Sequence, residues 1–264
     1  MQQEQIWLLM EDTSQYNKQI LVKKYSLKKD FWKEKKMYMD ITPSKIAGMI
    51  DVSDLKTTTT EKDVEKLIET AKKYNFTCAF VLPCYCASLV KAFKGTNINV
   101  GGAIGFPTGA ETTLIKVKQT ESFNDIGCDE LDMVMNIGWL KSNSYKKVAE
   151  DIDAVYKATQ GKPLKVIVEA MYLEDKELID ACKIVMDSGA EFVKTGSGWA
   201  PKPTTINHIN IMKKTVGDKI KIKAAGGVKD IDTLLEMMEL GVARFGIGVQ
   251  SGVSIMEELI NRKI

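Results

Sequence analysis

From about residue 46 onward, the chain alternates between two textures of apolar and polar positions. Short apolar runs rich in Val, Ile and Phe recur as AGMIDV, CAFVLP, NVGGAIGF, ELDMVMNI, LKVIVEA, EFVKTG, KIKAAGG and ARFGIG. Runs of this length and composition predict strands buried on both faces. The segments between them carry helical spacing. In TEKDVEKLIETAKKYN, Val64, Leu67, Ile68 and Ala71 fall on one face, with Thr60 and Asp63 as an N-cap pair. In DIDTLLEMMELG, Ile231, Leu234, Leu235 and Met238 repeat that spacing, and Gly241 stands where a C-terminal cap belongs. KKVAEDIDAVYKAT and KELIDACKIVMDSG follow the same pattern.

Eight strand-like runs, most followed by a helix-like one, predict an α/β fold of the (β/α)8 TIM-barrel class. Such a barrel takes about 250 residues, so one domain over residues 45–264 accounts for nearly all of the 264. A doubly wound open sheet would call for a Gly-x-Gly-x-x-Gly turn after an early strand, and the sequence has none. Residues 1–44 read differently. KQILVKKYSLKKDFWKEKK holds eight lysines against Asp30 and Glu34. The reading adopted is an N-terminal helical extension packed on the barrel, with solvated lysines; the competing one is a surface for a polyanion.

Composition removes several function classes. With 44% hydrophobic and 27% charged residues the chain is ordinary for a globular protein, and its formal net charge is +2. Neither a clustered basic face for nucleic acid nor an apolar run of about 18 residues is evident. No nucleic-acid partner and no membrane span are therefore expected. The N-terminus, MQQEQIWLLMEDTSQ, lacks a basic start, and Cys78, Cys84, Cys86, Cys128 and Cys182 lack zinc-type spacing. Both features fit reduced thiols in a cytoplasmic protein. The single histidine, His208, lies on a helix-like segment and is assigned no role. With so few imidazole and thiolate ligands, neither a metal nor a cofactor is expected.

The chemistry is expected where barrel strands end, with phosphate bound after strands seven and eight. KAAGGV and RFGIG end those two strands, and their glycines let backbone N–H groups close on an anion. Lys194 ends strand six and Lys223 is read as ending strand seven, so neighbouring strands would project two amines into one mouth. A second cation roughly 5 Å away, at an effective dielectric near 20, disfavours a protonated amine by about 3 kcal/mol, or about two pKa units. Burial acts in the same sense. A lysine so discharged is a Schiff-base nucleophile. Lys165 and Lys221 are also strand lysines, and Lys221 shares the parity of Lys223, so pattern alone leaves open which one faces Lys194. Asp132 within strand four and Asp51, read as ending strand one, supply carboxylates to face the amines.

These residues sit in motifs that resemble the deoxyribose-phosphate aldolase family from about Met49 to Leu259. GFPTGA, DELDMVMNIG, LKVIVEA, EFVKTGSG and KAAGGV occur in that family's order and spacing. The resemblance implies a metal-independent class I aldolase that cleaves 2-deoxy-D-ribose 5-phosphate to D-glyceraldehyde 3-phosphate and acetaldehyde. It implies Lys194 as the Schiff-base lysine, Lys223 as the second lysine that lowers its pKa, Asp132 as the relay acid and Asp51 as a further site aspartate. Gly198, Gly226, Gly227 and Gly246 fall near the substrate phosphate, and Ser53, Lys229, Gly248 and Ser251 join the substrate-binding set. The implied partner is a small phosphorylated sugar or aldehyde, and the implied assembly a homo-oligomer, dimer or tetramer. Departures cluster at recognition positions: DVSDLKT at strand one, Phe80 where a small cysteine is common, EAM at 169–171, Trp199, and GIGVQSG after strand eight. Two alternatives follow, the same chemistry on a different sugar phosphate, or a barrel that binds a sugar phosphate without turnover.

Overall fold

The computed structural model describes residues 41–262. A short helix, α1 (Pro43–Ala47), leads into β1 (Ile50–Asp54), α2 (Glu61–Tyr74) and β2 (Cys78–Val81). After a 3-10 turn at Pro83–Tyr85 come α3 (Cys86–Phe93), β3 (Asn99–Ile104), α4 (Thr113–Ile126) and β4 (Glu130–Val134). The chain continues through α5 (Ile137–Lys141), α6 (Tyr145–Ala158), β5 (Leu164–Ile167), a 3-10 turn at Ala170–Tyr172, α7 (Asp175–Asp187) and β6 (Phe192–Lys194). It ends with α8 (Ile206–Val216), β7 (Lys221–Ala225), α9 (Ile231–Glu239), β8 (Val242–Gly248) and α10 (Val249–Asn261). The strands pair in parallel and in chain order, β8 closing on β1. The (β/α)8 barrel is thus as the alternating textures predicted. The proposed extension over 1–44, with its lysine-rich segment, lies outside the described residues except for its last four. Among the described residues no helix is long and apolar enough to cross a membrane.

Local chemistry sets the element boundaries. Thr60 and Asp63 form a reciprocal capping box at the start of α2, each side chain accepting from the other's backbone N–H. Gly241, at φ 92°, follows the C-terminal end of α9, a left-handed conformation that glycine adopts at no steric cost. His208 acts at the start of α8, where its Nδ1 accepts from the Thr205 backbone N–H. The histidine is a helix cap.

Alternation along each strand separates two cores. Val52, Leu131, Met133, Val166, Val193 and Ile222 are at most 1% exposed and pack toward the helices, being one residue out of phase with the interior set. The interior is unusually polar. Asp51, Asp132, Lys165 and Lys223 are each at most 1% exposed. Phe80 on β2 crosses this interior above Gly101 on β3, its partner in register. A Cβ at Gly101 would lie 2.1 Å from Phe80 Cζ, so the ring occupies space that only glycine leaves.

One buried ion pair locks helices to the barrel wall. Lys116 Nζ on α4 lies 2.6 Å from Asp151 Oδ2 on α6 and donates to the Val134 carbonyl of β4 at 3.1 Å. Thr113 Oγ1 donates to the other Asp151 oxygen at 2.7 Å.

Asp151→Ala leaves Lys116 buried and unpaired and is expected to cost about 3–5 kcal/mol in urea unfolding, while Lys116→Met/Asp151→Leu recovers much of that loss. Gly101→Ala is expected to cost about 1–3 kcal/mol by forcing the Phe80 ring aside. Adding Phe80→Leu should restore part of the midpoint; a Gly101→Ala variant as stable as the parent would contradict this packing.

Candidate active site

The strand register brings Lys194 and Lys223 side by side, as directly paired residues of β6 and β7. The two amines converge on one oxygen: Lys194 Nζ and Lys223 Nζ each donate to Asp132 Oδ2 at 2.7 Å. The nitrogens are therefore no farther apart than twice that distance. Lys165 Nζ holds the other Asp132 oxygen, Oδ1, at 3.0 Å. Asp132 thus receives three ammonium-bearing side chains, and its rotamer is fixed from both sides.

Register corrects two placements. Lys223 lies in the middle of β7, not at its end, and Asp51 is the second residue of β1 rather than its last. The tilt of barrel strands sets Asp51 deeper than the strand ends, where it meets Lys223 Nζ at 2.6 Å and Arg244 Nη1 at 2.5 Å. The ambiguity between Lys221 and Lys223 is also resolved: Lys221 opens β7 in an exposed position. The sequence reading noted Lys165 as a strand lysine without a role, and passed over Glu130 and Arg244. Glu130 Oε2 lies 2.6 Å from Lys165 Nζ, and its Oε1 lies 3.2 Å from Arg244 Nη2. The signal was available, since Glu130 shares the parity of Asp132, and Arg244 that of the glycines at 246 and 248.

The electrostatics follow from burial and these contacts. Burial lowers the Lys194 pKa most; Asp132 pulls it back up and Lys223 adds to the lowering, giving about 8. The expected order of causes is thereby reversed, since loss of water outranks the neighbouring cation. Burial alone would raise the Asp132 carboxyl, but Lys165, Lys194 and Lys223 outweigh it and hold it well below its usual range. Lys165 is buried as well, and its three acid neighbours raise it above the ordinary lysine value. The Phe80 ring covers the group, its centroid 4.4 Å from Lys223 Nζ and 5.8 Å from Lys194 Nζ. The ring narrows the interior and adds a cation–π contact.

Asp51, Cys78 and Glu130 bring three potential ligand atoms within 4.8 Å of one another. Lys165, Lys223 and Arg244 already neutralise both carboxylates, and burial beside them raises the Cys78 thiol well above its usual range. The two carboxylates seat ammonium and guanidinium groups.

Above the amines opens a cavity of about 520 Å³. Ser53, Gly198, Gly226, Gly227, Lys229, Gly246, Gly248 and Ser251 all line it, together with Asp51, Lys194 and Lys223. Asp132 lies beneath them. Gly226 and Gly227 take φ of 85° and 104°, and a Cβ at Gly227 would lie 2.4 Å from Pro203 Cβ. Gly246 sits lower, at the level of the amines: a Cβ there would stand 3.4 Å from Lys223 Cε and 3.8 Å from Lys194 Cε. Gly248 caps α10 without a side-chain hydrogen bond, leaving first-turn N–H groups without that partner.

Several contacts fix the loops around the opening. Thr204 Oγ1 donates to the Ala225 carbonyl at 2.6 Å, and Thr195 Oγ1 donates to the same oxygen at 2.8 Å. The Glu169 carboxylate, at a residue with φ 49°, accepts from the Ser197 N–H. Burial raises the Glu169 pKa, against the lowering effect of that bond and of Lys194. Trp199 reaches across the mouth, donating from Nε1 to the Leu55 carbonyl at 3.1 Å and meeting Phe106 edge-on at 6.1 Å. Of this loop set the sequence singles out Trp199 and the EAM run that begins at Glu169.

Residues 45–258 match the model of the DeoC/LacD family aldolases. The chain is 40% identical over 225 residues to a deoxyribose-phosphate aldolase of Carboxydothermus hydrogenoformans, covering 84% of this chain and 98% of that one. Its identity to a deoxyribose-phosphate aldolase of Mycoplasmopsis pulmonis is 44% over 208 residues, or 79% of this chain and 94% of the other. A solved deoxyribose phosphate aldolase from Aeropyrum pernix, described as a unique tetrameric structure, superposes with a TM-score of 0.76 at 25% identity, covering 84% and 93% of the two chains. Matched over most of its length, the chain belongs to the DeoC/LacD family of aldolases.

Proposed function

We propose that this protein is a deoxyribose-phosphate aldolase that works through a Schiff base on Lys194. The observation that carries the reading is the single Asp132 oxygen shared by two lysine amines beneath an open cavity. Lys194, with a pKa of about 8, is about one-tenth neutral at pH 7. Its lone pair attacks C1 of the open-chain aldehyde, and loss of water gives the iminium. The C3 hydroxyl then gives up its proton, the C2–C3 bond breaks, and its electrons pass into the iminium as an enamine. Glyceraldehyde 3-phosphate leaves; protonation of C2 and hydrolysis of the iminium release acetaldehyde and the amine.

The site residues divide the proton work according to their charge. Asp132, held well below the usual carboxylate range, is a poor store of protons and serves as an acceptor beside the new iminium. Lys223, donating to the same oxygen, supplies and recovers the proton that dehydration requires. The substrate phosphate fits the rim built from Gly198, Gly226, Gly227 and the N-terminal turn of α10, with Lys229 and Ser251 beside it. Gly246 instead keeps the amine level open. Ser53, paired in register with Gly248, lines the same cavity. The proposal extends to a homo-oligomer acting in the cytosol, in keeping with the tetrameric relative from Aeropyrum pernix.

Borohydride reduction with acetaldehyde is expected to leave a two-carbon adduct on the peptide that holds Lys194, and none in Lys194→Arg. Trapping should rise with pH through about 8, roughly tenfold from pH 7 to the plateau. An adduct confined to other lysines would exclude this mechanism. The Phe80 ring over the amines and Trp199 across the mouth favour a second reading, the same chemistry with a different acceptor. A panel of phosphorylated aldehydes compared by kcat/KM separates the two: a rate on glyceraldehyde 3-phosphate at least tenfold above the others supports the first.

A further inference from the structure

Beneath Lys194 the barrel interior holds a closed set of charges. Asp51 projects from β1, Glu130 and Asp132 from β4, Lys165 from β5, Lys194 from β6, Lys223 from β7 and Arg244 from β8. β2 adds the Cys78 thiol and the Phe80 ring, and β3 adds Gly101, without a side chain. Glu169, just beyond β5, faces Lys194 from above but is engaged by the Ser197 N–H and is not linked to the others. The set is continuous. Arg244 joins Asp51 to Glu130, Glu130 joins Lys165, Lys165 joins Asp132, and Asp132 joins both remaining lysines.

The set contains three carboxylates and four cationic side chains, so it carries one surplus positive charge when every member is ionised. A buried cluster is most stable near neutrality. One proton is therefore the easiest to lose. It cannot come from the guanidinium, which keeps its proton in proteins. Lys165 faces three carboxylates, at 2.6, 3.0 and 3.8 Å, and Lys223 faces two, at 2.6 and 2.7 Å. Lys194 faces one. The surplus leaves from Lys194 because it has the fewest counter-ions and lies at the cavity.

We propose that Arg244 and Glu130, remote from the substrate, are positioning residues that set the charge balance of the interior and so leave Lys194 as the amine that reacts. The proposal rests on the Schiff-base reading above and adds to it a control acting from the opposite end of the network. Removing the Arg244 charge cancels the surplus, and Lys194 keeps its proton. Removing the Glu130 charge enlarges the surplus, and Lys194 releases its proton more readily. The two changes act in opposite directions, which no shared loss of packing can imitate.

The test is the pH midpoint of reductive alkylation at Lys194, read by peptide mass mapping after brief exposure to acetaldehyde and cyanoborohydride. In this reaction the amine and aldehyde condense with loss of water, and hydride from the reagent reduces the iminium. Arg244→Leu is expected to move the midpoint up by about one pH unit, slowing trapping at pH 7 about tenfold. Arg244→Lys should keep the parent midpoint, and Glu130→Gln should move it down. Midpoints unchanged in Arg244→Leu and Glu130→Gln, or shifted in the same direction, overturn the proposal, as does an Arg244→Lys that behaves like Arg244→Leu. Should Arg244→Leu fail to fold, the other two variants decide by the same criteria. A parent that traps at other lysines but never at Lys194 overturns the Schiff-base reading itself, a result distinct from trapping with an unmoved midpoint.

Discussion

The site depends on one oxygen atom receiving two hydrogen bonds from neighbouring strands. Asp132 Oδ2 cannot serve Lys194 and Lys223 equally unless β4, β6 and β7 are held in fixed register around a closed circuit. In an open sheet those strands could shift without changing their immediate neighbours. In a closed barrel any shift must be absorbed all the way round. Closure therefore serves the chemistry directly: it turns the spacing of three side chains into a property of the whole wall.

Two lysines side by side suggest that repulsion is the main influence that discharges one of them. The structure gives a different ranking. Asp132 lies against both amines and offsets much of their mutual repulsion, so removal from water becomes the largest influence on Lys194. Phe80 contributes by covering the group with an apolar face. Lys223 has a more specific part. It keeps Asp132 partly neutralised, so that this carboxylate does not secure the Lys194 proton too strongly, and it ties Asp51 into the same set.

Much of this was legible in the sequence because periodicity reports which face of a strand a residue occupies. Alternation around Asp132 sets it inward, EFVKTG placed Lys194 at the end of a strand, and the buried apolar runs separated strands from helices. Height within the barrel was not legible. Lys221 and Lys223 have the same parity, yet one lies at an exposed strand start and the other in the charge network. The difference comes from strand stagger, which is a relation between segments far apart in sequence. Asp51 was misplaced for the same reason. Lys165 was noted without a role and Arg244 was passed over, because each is recognisable only beside acids contributed by other strands. The family motifs carried the chemistry, and the three-dimensional register supplied the partners.

Phe80 and Gly101 have a consequence that reaches beyond this molecule. The ring is accommodated only because the glycine lacks a side chain: it fills the volume a missing methyl leaves open. A relative with a small residue at the first position is free to carry a side chain at the second. Lineages that keep the ring should therefore keep the glycine, so a side chain at the second position ought to appear only among descendants that have already lost the ring.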